Sequence, residues 1–198
     1  MRYFFKFFLI LSLTWFSSCQ NESVKPNPKA IASPAYFNLS QFISGQVKQL
    51  QSAPIAVEKT FVTPPDAPEI KVLRTINWEH ELETFTQADI NKPALRAAYA
   101  ITTTPEANGR IKTIYRKRPG YRDAPVEYLE VTTSADKQVV AIKGRHRDDN
   151  YLVKSTKDFS LQCEPVNGQN QIISYQISGT QKTVFLRPLE YRIKGIIQ

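Results

Sequence analysis

Long apolar runs, cysteine, glycine and histidine are all scarce in this 198-residue chain, and each shortage removes a class of protein. The longest apolar block, Phe7 to Phe16, is about half of the ~20 residues a transmembrane helix needs, so no permanent membrane span is expected. Seven glycines stand singly, which leaves no glycine-rich loop to cradle phosphates and no Gly-x-Ser-x-Gly elbow for a nucleophilic serine. Of the two histidines, His80 lies between Glu79 and Glu81, but adjacent helical residues diverge by about 100° and cannot close on one metal ion. His146 has Asp148 and Asp149 close by in a basic turn, and nearness in sequence is not a triad. Carboxylates are plentiful, yet no spacing selects a catalytic pair. No cofactor, no metal site and no enzymatic activity is expected. No repeat with a period of about 20 to 50 residues is present.

What the chain does have is a core and a charge. Hydrophobic residues make up 41% of it and aromatics 11%, enough for one ordinary folded domain. The formal charge of +8 favours anionic partners.

Its N-terminus has a distinct grammar. Arg2 and Lys6 precede the apolar block, and the small residues Ser17 and Ser18 follow it, the pattern of a signal peptide. Cys19 comes next, and the stretch Phe16-Ser17-Ser18-Cys19 resembles the lipobox of bacterial lipoproteins of the Bacteroidota type, although the family favours Leu where Phe16 stands. The resemblance implies a leader over residues 1–18 that is removed, diacylglycerol on the Cys19 sulfur, and an acylated amine. Two or three acyl chains anchor stably, because each buried methylene contributes about 0.8 kcal/mol. Gln20, where an inner-membrane retention signal would place Asp, implies the outer membrane of the cell envelope. Export makes nucleic acid an improbable partner, and the remaining anions are lipid headgroups and acidic glycans. With Cys19 modified, Cys163 has no partner for an internal disulfide. Cys163 follows Phe159 and Leu161 at period two and is read as a half-buried strand thiol.

Residues 19–35 carry Pro26, Pro28 and Pro34 among polar residues and read as a flexible linker. A single α+β domain is expected over residues 36–198. Asn38 and Gln41 have the form of a capping box, with Phe37 and Phe42 as a hydrophobic staple. Leu39, Phe42, Ile43, Val47 and Leu50 then recur at helical spacing up to Pro54. Residues 55–62 and 69–76 read as a hairpin about Pro64-Pro65-Asp66. Asn77 caps a second predicted helix with Trp78, Leu82 and Phe85 on one stripe, and Pro93 opens a short third one.

From Ala100 onward, turn signals at Asn108-Gly109, Pro119-Gly120, Ala135-Asp136, Asp149-Asn150, Asn167-Gly168 and Ser178-Gly179 separate strand-like runs. Those runs are 110–117, 126–133, 138–144, 151–155, 159–163, 171–177, 183–186 and 189–197. The fold class is one large curved antiparallel sheet, an open half-barrel, with an N-terminal helix and a helical insertion packed on it. That order of elements resembles the LolA/LolB-like lipoprotein carriers over residues 36–198.

Two sets of candidate binding residues follow. The carrier resemblance implies a cavity for acyl chains between sheet and helices, lined here by Phe42, Trp78, Phe85 and Leu129; the same side chains serve equally well as a dry core. Separately, Arg116, Arg118, Lys143 and Arg145 form a basic stripe for anionic lipid or glycan, while Glu127 and Glu130 on the strand between can neutralise it. The function expected is a non-enzymatic, lipid-anchored interaction or assembly protein of the envelope, with an outer-membrane protein as partner. The alternative is a LolA/LolB-like carrier or binder of a hydrophobic ligand.

Overall fold

A computed structural model describes residues 36–198; the expected leader, Cys19 and the linker lie outside the described residues. The chain enters through α1 (Leu39–Gln51), whose cap is the one predicted: Asn38 Oδ1 accepts the Gln41 amide at 2.9 Å, and the Phe37 and Phe42 rings sit 5.9 Å apart across it. Asp89, far along the chain, accepts the Leu39 amide at 3.1 Å, so side-chain oxygens satisfy two of the helix's orphan donors. Leu39, Ile43, Val47 and Leu50 face inward.

The hairpin β1 (Val57–Val62) and β2 (Glu69–Leu73) comes next. The stripe Trp78, Leu82 and Phe85 is buried as its spacing predicts, but on two short helices, α2 (Trp78–Glu81) and α3 (Glu83–Gln87). The axis breaks at Leu82, whose carbonyl accepts the amides of both Phe85 and Thr86. After a 3₁₀ turn at Pro93–Leu95, the remaining strands are β3 (Tyr99–Pro105), β4 (Ile111–Lys117), β5 (Val126–Thr133), β6 (Val139–Asp149), β7 (Val153–Val166), β8 (Gln169–Thr183) and β9 (Leu189–Ile197). No helix among the described residues is long and apolar enough to cross a membrane.

All nine strands form one antiparallel sheet in the order β2-β1-β9-β8-β7-β6-β5-β4-β3, and it does not close into a barrel. The meander runs from β3 to β9, and the first hairpin adds to its β9 edge. One face packs on the helices and the other meets solvent, the alternation expected of an antiparallel sheet. Trp78, Phe85, Leu129, Ile142, Phe159, Leu161 and Ile172 belong to a single core between sheet and helices. Helices, strands and core all lie within a self-contained unit of residues 33–198.

Two strands run longer than the sequence expectation. The predicted strands 151–155 and 159–163 are one long β7, and Ser178-Gly179 is not a turn but the interior of β8. Gly179 stands opposite Tyr191, and its missing Cβ leaves room for that ring; a Cβ there would lie 2.6 Å from it. The glycine serves a cross-strand aromatic, a use that looks like a turn when only the local chain is read. The run 183–186 is likewise the loop after β8 rather than a strand.

Gly195 applies the same device farther along β9, between β1 and β8. Lys59, Gly195 and Tyr175 stand opposite one another on β1, β9 and β8, and the row continues through Leu161, Ile142 and Val131. Without a side chain on Gly195, the Tyr175 ring lies across β9 and its hydroxyl donates to Glu81 on α2. Lys59 Nζ holds the same carboxylate, 2.8 Å from Oε1 and 2.9 Å from Oε2. Burial, and then the Glu81 carboxylate it bonds, push the Tyr175 hydroxyl well above its ordinary range. This triad ties the first hairpin, the inserted helices and β8 of the meander to one carboxylate. Both of its charged members are almost closed off from water, where leaving either unpaired would be costly. Cys163 is buried on the core side of β7, and burial pushes its thiol up to about 12.

Candidate functional site

The ends of the sheet differ in how their loops are closed. At the far end, Asn108, Gly109, Asn167 and Gly168 adopt left-handed backbone conformations, and Asn167-Gly168 forms the two-residue hairpin between β7 and β8 that such a pair favours. The β7–β8 hairpin projects past the start of β6, leaving a step in the rim. Asn170 bridges it, its side-chain amide donating to the Val139 carbonyl at 2.8 Å. The C-terminal half of α1 lies above this step. Gln46 is buried there: its Oε1 accepts the Ile172 amide at 2.7 Å, and its Nε2 donates to the Asn170 carbonyl and to Gln49 Oε1, each at 3.0 Å.

Between α1, the step and the rim turns lies a groove of about 1330 Å³, ample for a ligand. Six glutamines (Gln41, Gln46, Gln49, Gln138, Gln162 and Gln169) and two asparagines, Asn108 and Asn170, line it, together with Phe42 and Val140. Its charged side chains, Arg110 and Lys137 against Asp136 and Glu164, balance. A carboxamide offers donors and an acceptor without charge. The groove therefore suits a ligand rich in amide or hydroxyl groups, with the half-buried Phe42 ring as an apolar contact.

At the near end, where Tyr36 brings the chain into the domain, a smaller cleft of about 560 Å³ lies between the β4–β5 and β6–β7 loops. Its walls mix charge. Arg147 stands 3.6 Å from Glu127 and 3.3 Å from Asp149, and Lys117 donates to the Ala124 carbonyl at 3.0 Å. His146, beside it, is buried, and its Nδ1 lies 3.4 Å from Asp148 without hydrogen-bond alignment. Burial lowers its pKa, the Asp148 charge opposes that, and Lys157 and Lys92 reinforce it.

The residues singled out by sequence are dispersed. Arg116, Lys143 and Arg145 share the solvent face of the sheet, Arg116 and Arg145 opposite Tyr128 and Lys143 opposite Glu130. Arg116 stacks 5.9 Å from the Tyr128 ring centre. Arg145 is held by Asp158 through two hydrogen bonds of 2.7 and 3.1 Å, which raise its pKa. Arg118 lies apart, in the near-end cleft.

Trp78, Phe85 and Leu129 are packed in the core, Phe85 edge-on to Phe159 at 5.4 Å, whereas Phe42 lines the groove. Those four residues do not share one cavity. The far-end amides escaped sequence reading because a glutamine such as Gln41 looks like the ordinary wet side of a helix. Their signal was compositional: glutamine recurs on α1 and beside several turns on alternate ends of strands, and only the meander brings those turns together. No protein-family model, curated protein or solved structure matches the chain.

Proposed function

We propose that this chain is a lipid-anchored protein of the bacterial envelope, held through acyl chains on Cys19, that binds or assembles with an outer-membrane partner rather than transforming a substrate. The far-end groove carries this reading. Its carboxamides offer a broad, uncharged hydrogen-bonding surface, suited to the amide groups of a protein segment. Gln46, bonded to β8 through the Ile172 amide and the Asn170 carbonyl, fixes one wall in advance and lowers the ordering cost of binding. The lipobox-like stretch supports the anchor, and a chain of sixteen residues, at about 3.3 Å each, can span at most ~50 Å.

Purification of the full chain from its own envelope is expected to bring down one outer-membrane protein at fixed stoichiometry. Gln41→Ala, Gln162→Ala and Gln169→Ala together, all exposed and outside the core, are expected to weaken that association roughly tenfold or more. A partner held equally well by the triple variant, or a partner-free monomer in native mass spectrometry, overturns the groove's role. A Cys19→Ser chain that remains in the membrane fraction and still takes up labelled palmitate overturns the anchor.

A further inference from the structure

The near end carries an apolar tip. Its two loops, between β6 and β7 and between β8 and β9, are tied by the Val184 amide donating to the Leu152 carbonyl at 3.0 Å. Phe185 is 101% exposed and Tyr151 86%, with Leu152 and Leu186 also exposed beside them. Their outward aim is fixed by the backbone. Asn150 Oδ1 accepts the amides of Leu152 at 3.0 Å and Val153 at 2.9 Å, and Phe185 holds a left-handed φ of 72°, a conformation unfavourable for a bulky L-residue. A local rule is thus broken twice, by apolar exposure and by backbone, at one point of the surface.

Cations flank the tip. Lys154 and Lys182 stand directly opposite each other on β7 and β8, one pair behind it, where like charges repel. Arg187 follows Leu186 in the same loop. Lys154 has Asp149 at 3.5 Å, but that carboxylate also serves Arg147 at 3.3 Å. An anion lying over Lys154 and Lys182 would relieve the repulsion.

We infer that this tip docks onto the surface of a bilayer containing anionic phospholipid, Phe185, Leu186, Leu152 and Tyr151 entering the headgroup boundary while Lys154, Lys182 and Arg187 meet the phosphates. The side chains protrude and enclose no groove, a shape suited to a fluid surface rather than to a partner with fixed relief; apolar and aromatic groups ringed by Lys and Arg are the chemistry of interfacial contact. The chain also enters the domain at this same end: Tyr36 donates to the Arg96 carbonyl at 2.8 Å and accepts the Tyr99 amide at 3.2 Å, at the start of β3. The anchored reading contributes only this last argument, that the tether arrives on the side the tip faces.

The test uses residues 33–198, which contain the whole core and lack Cys19, so acylation cannot produce the result. Sedimentation with vesicles of phosphatidylcholine plus phosphatidylglycerol is expected to pull down this domain, with roughly tenfold weaker partition for Phe185→Asn combined with Leu186→Gln and for vesicles of phosphatidylcholine alone. A Phe185→Trp variant is expected to shift its emission to the blue on the anionic vesicles and to be quenched by brominated lipid; Trp78, the native tryptophan of the domain, is buried and gives a constant background. Equal partition of the double variant, or emission of the Phe185→Trp variant unmoved by anionic vesicles, overturns the inference whether or not Cys19 is acylated.

Discussion

The two ends of this sheet are closed by loops of the same strands, yet they expose different chemistry, amides at one and apolar side chains at the other. At the far end the left-handed positions are Asn108, Gly109, Lys137, Asn167 and Gly168, and all but Lys137 are residues that turn geometry itself selects. In the proposed function the recognising groups there are amides, most of them on α1 and the strands. At the near end Phe185 occupies a left-handed position that Asn or Gly would fill at less cost. The one bulky apolar residue among these left-handed positions, Phe185, is thus the one we assign to a docking surface.

The largest expected effect strikes what both ends share. Gly195→Val would drive a Cβ into the space the Tyr175 ring occupies and is expected to lower unfolding free energy by about 3 kcal/mol in urea titration, degrading groove and tip together. If stability is unchanged, the Tyr175 ring does not lie over Gly195 and the common frame is wrong.

Gln46→Leu should separate the ends. It leaves the Ile172 amide and the Asn170 carbonyl without their partner, at a cost of about 2 kcal/mol. Hydrogen exchange should accelerate at Ile172 and stay unchanged at Val153; equal acceleration at both would mean that the ends are not independent. Phe185→Asn should act in the other direction, raising stability by up to about 1 kcal/mol through relief of the left-handed backbone while vesicle partition falls. A loss of stability would show that the exposed ring is packed against something after all.

The smallest effect is a pH dependence at the near end. His146 has a lowered pKa in the folded chain, so the unfolded chain binds the proton more readily. The stability from keeping it neutral is full above its ordinary value of about 6.5 and is lost as pH falls below that. His146→Gln is expected to flatten that portion of the stability curve in denaturant titrations at stepped pH. An undiminished slope would assign it to other groups.

Much of the frame was legible in the chain because local rules and tertiary structure agreed. Asn38, Asn77 and Asn167-Gly168 do in the fold what their residue types do in isolation, and residues 126–133 and 189–197 are strands with the expected limits. Reading failed where a residue answers to a distant partner. Gly179 follows Tyr191, Glu81 follows Lys59 and Tyr175, and Asp89 serves the first amide of α1. The groove was illegible for the same reason: its amides are scattered from residue 41 to residue 170 and become one surface only when alternate turns of the meander gather on one rim. The basic stripe was legible as a face, but not the commitment of Arg145 to Asp158.

Cys163 bears on where such a domain can operate. With burial pushing its thiol up to about 12 and the residue 4% exposed, little of it is thiolate at neutral pH, and thiolate is the species that oxidants and disulfides attack. The domain therefore keeps one covalent form on both sides of a change in redox environment. A chain made in a reducing compartment and moved to an oxidising one would arrive with this sulfur as it left, needing neither a partner cysteine nor a reductase to stay intact.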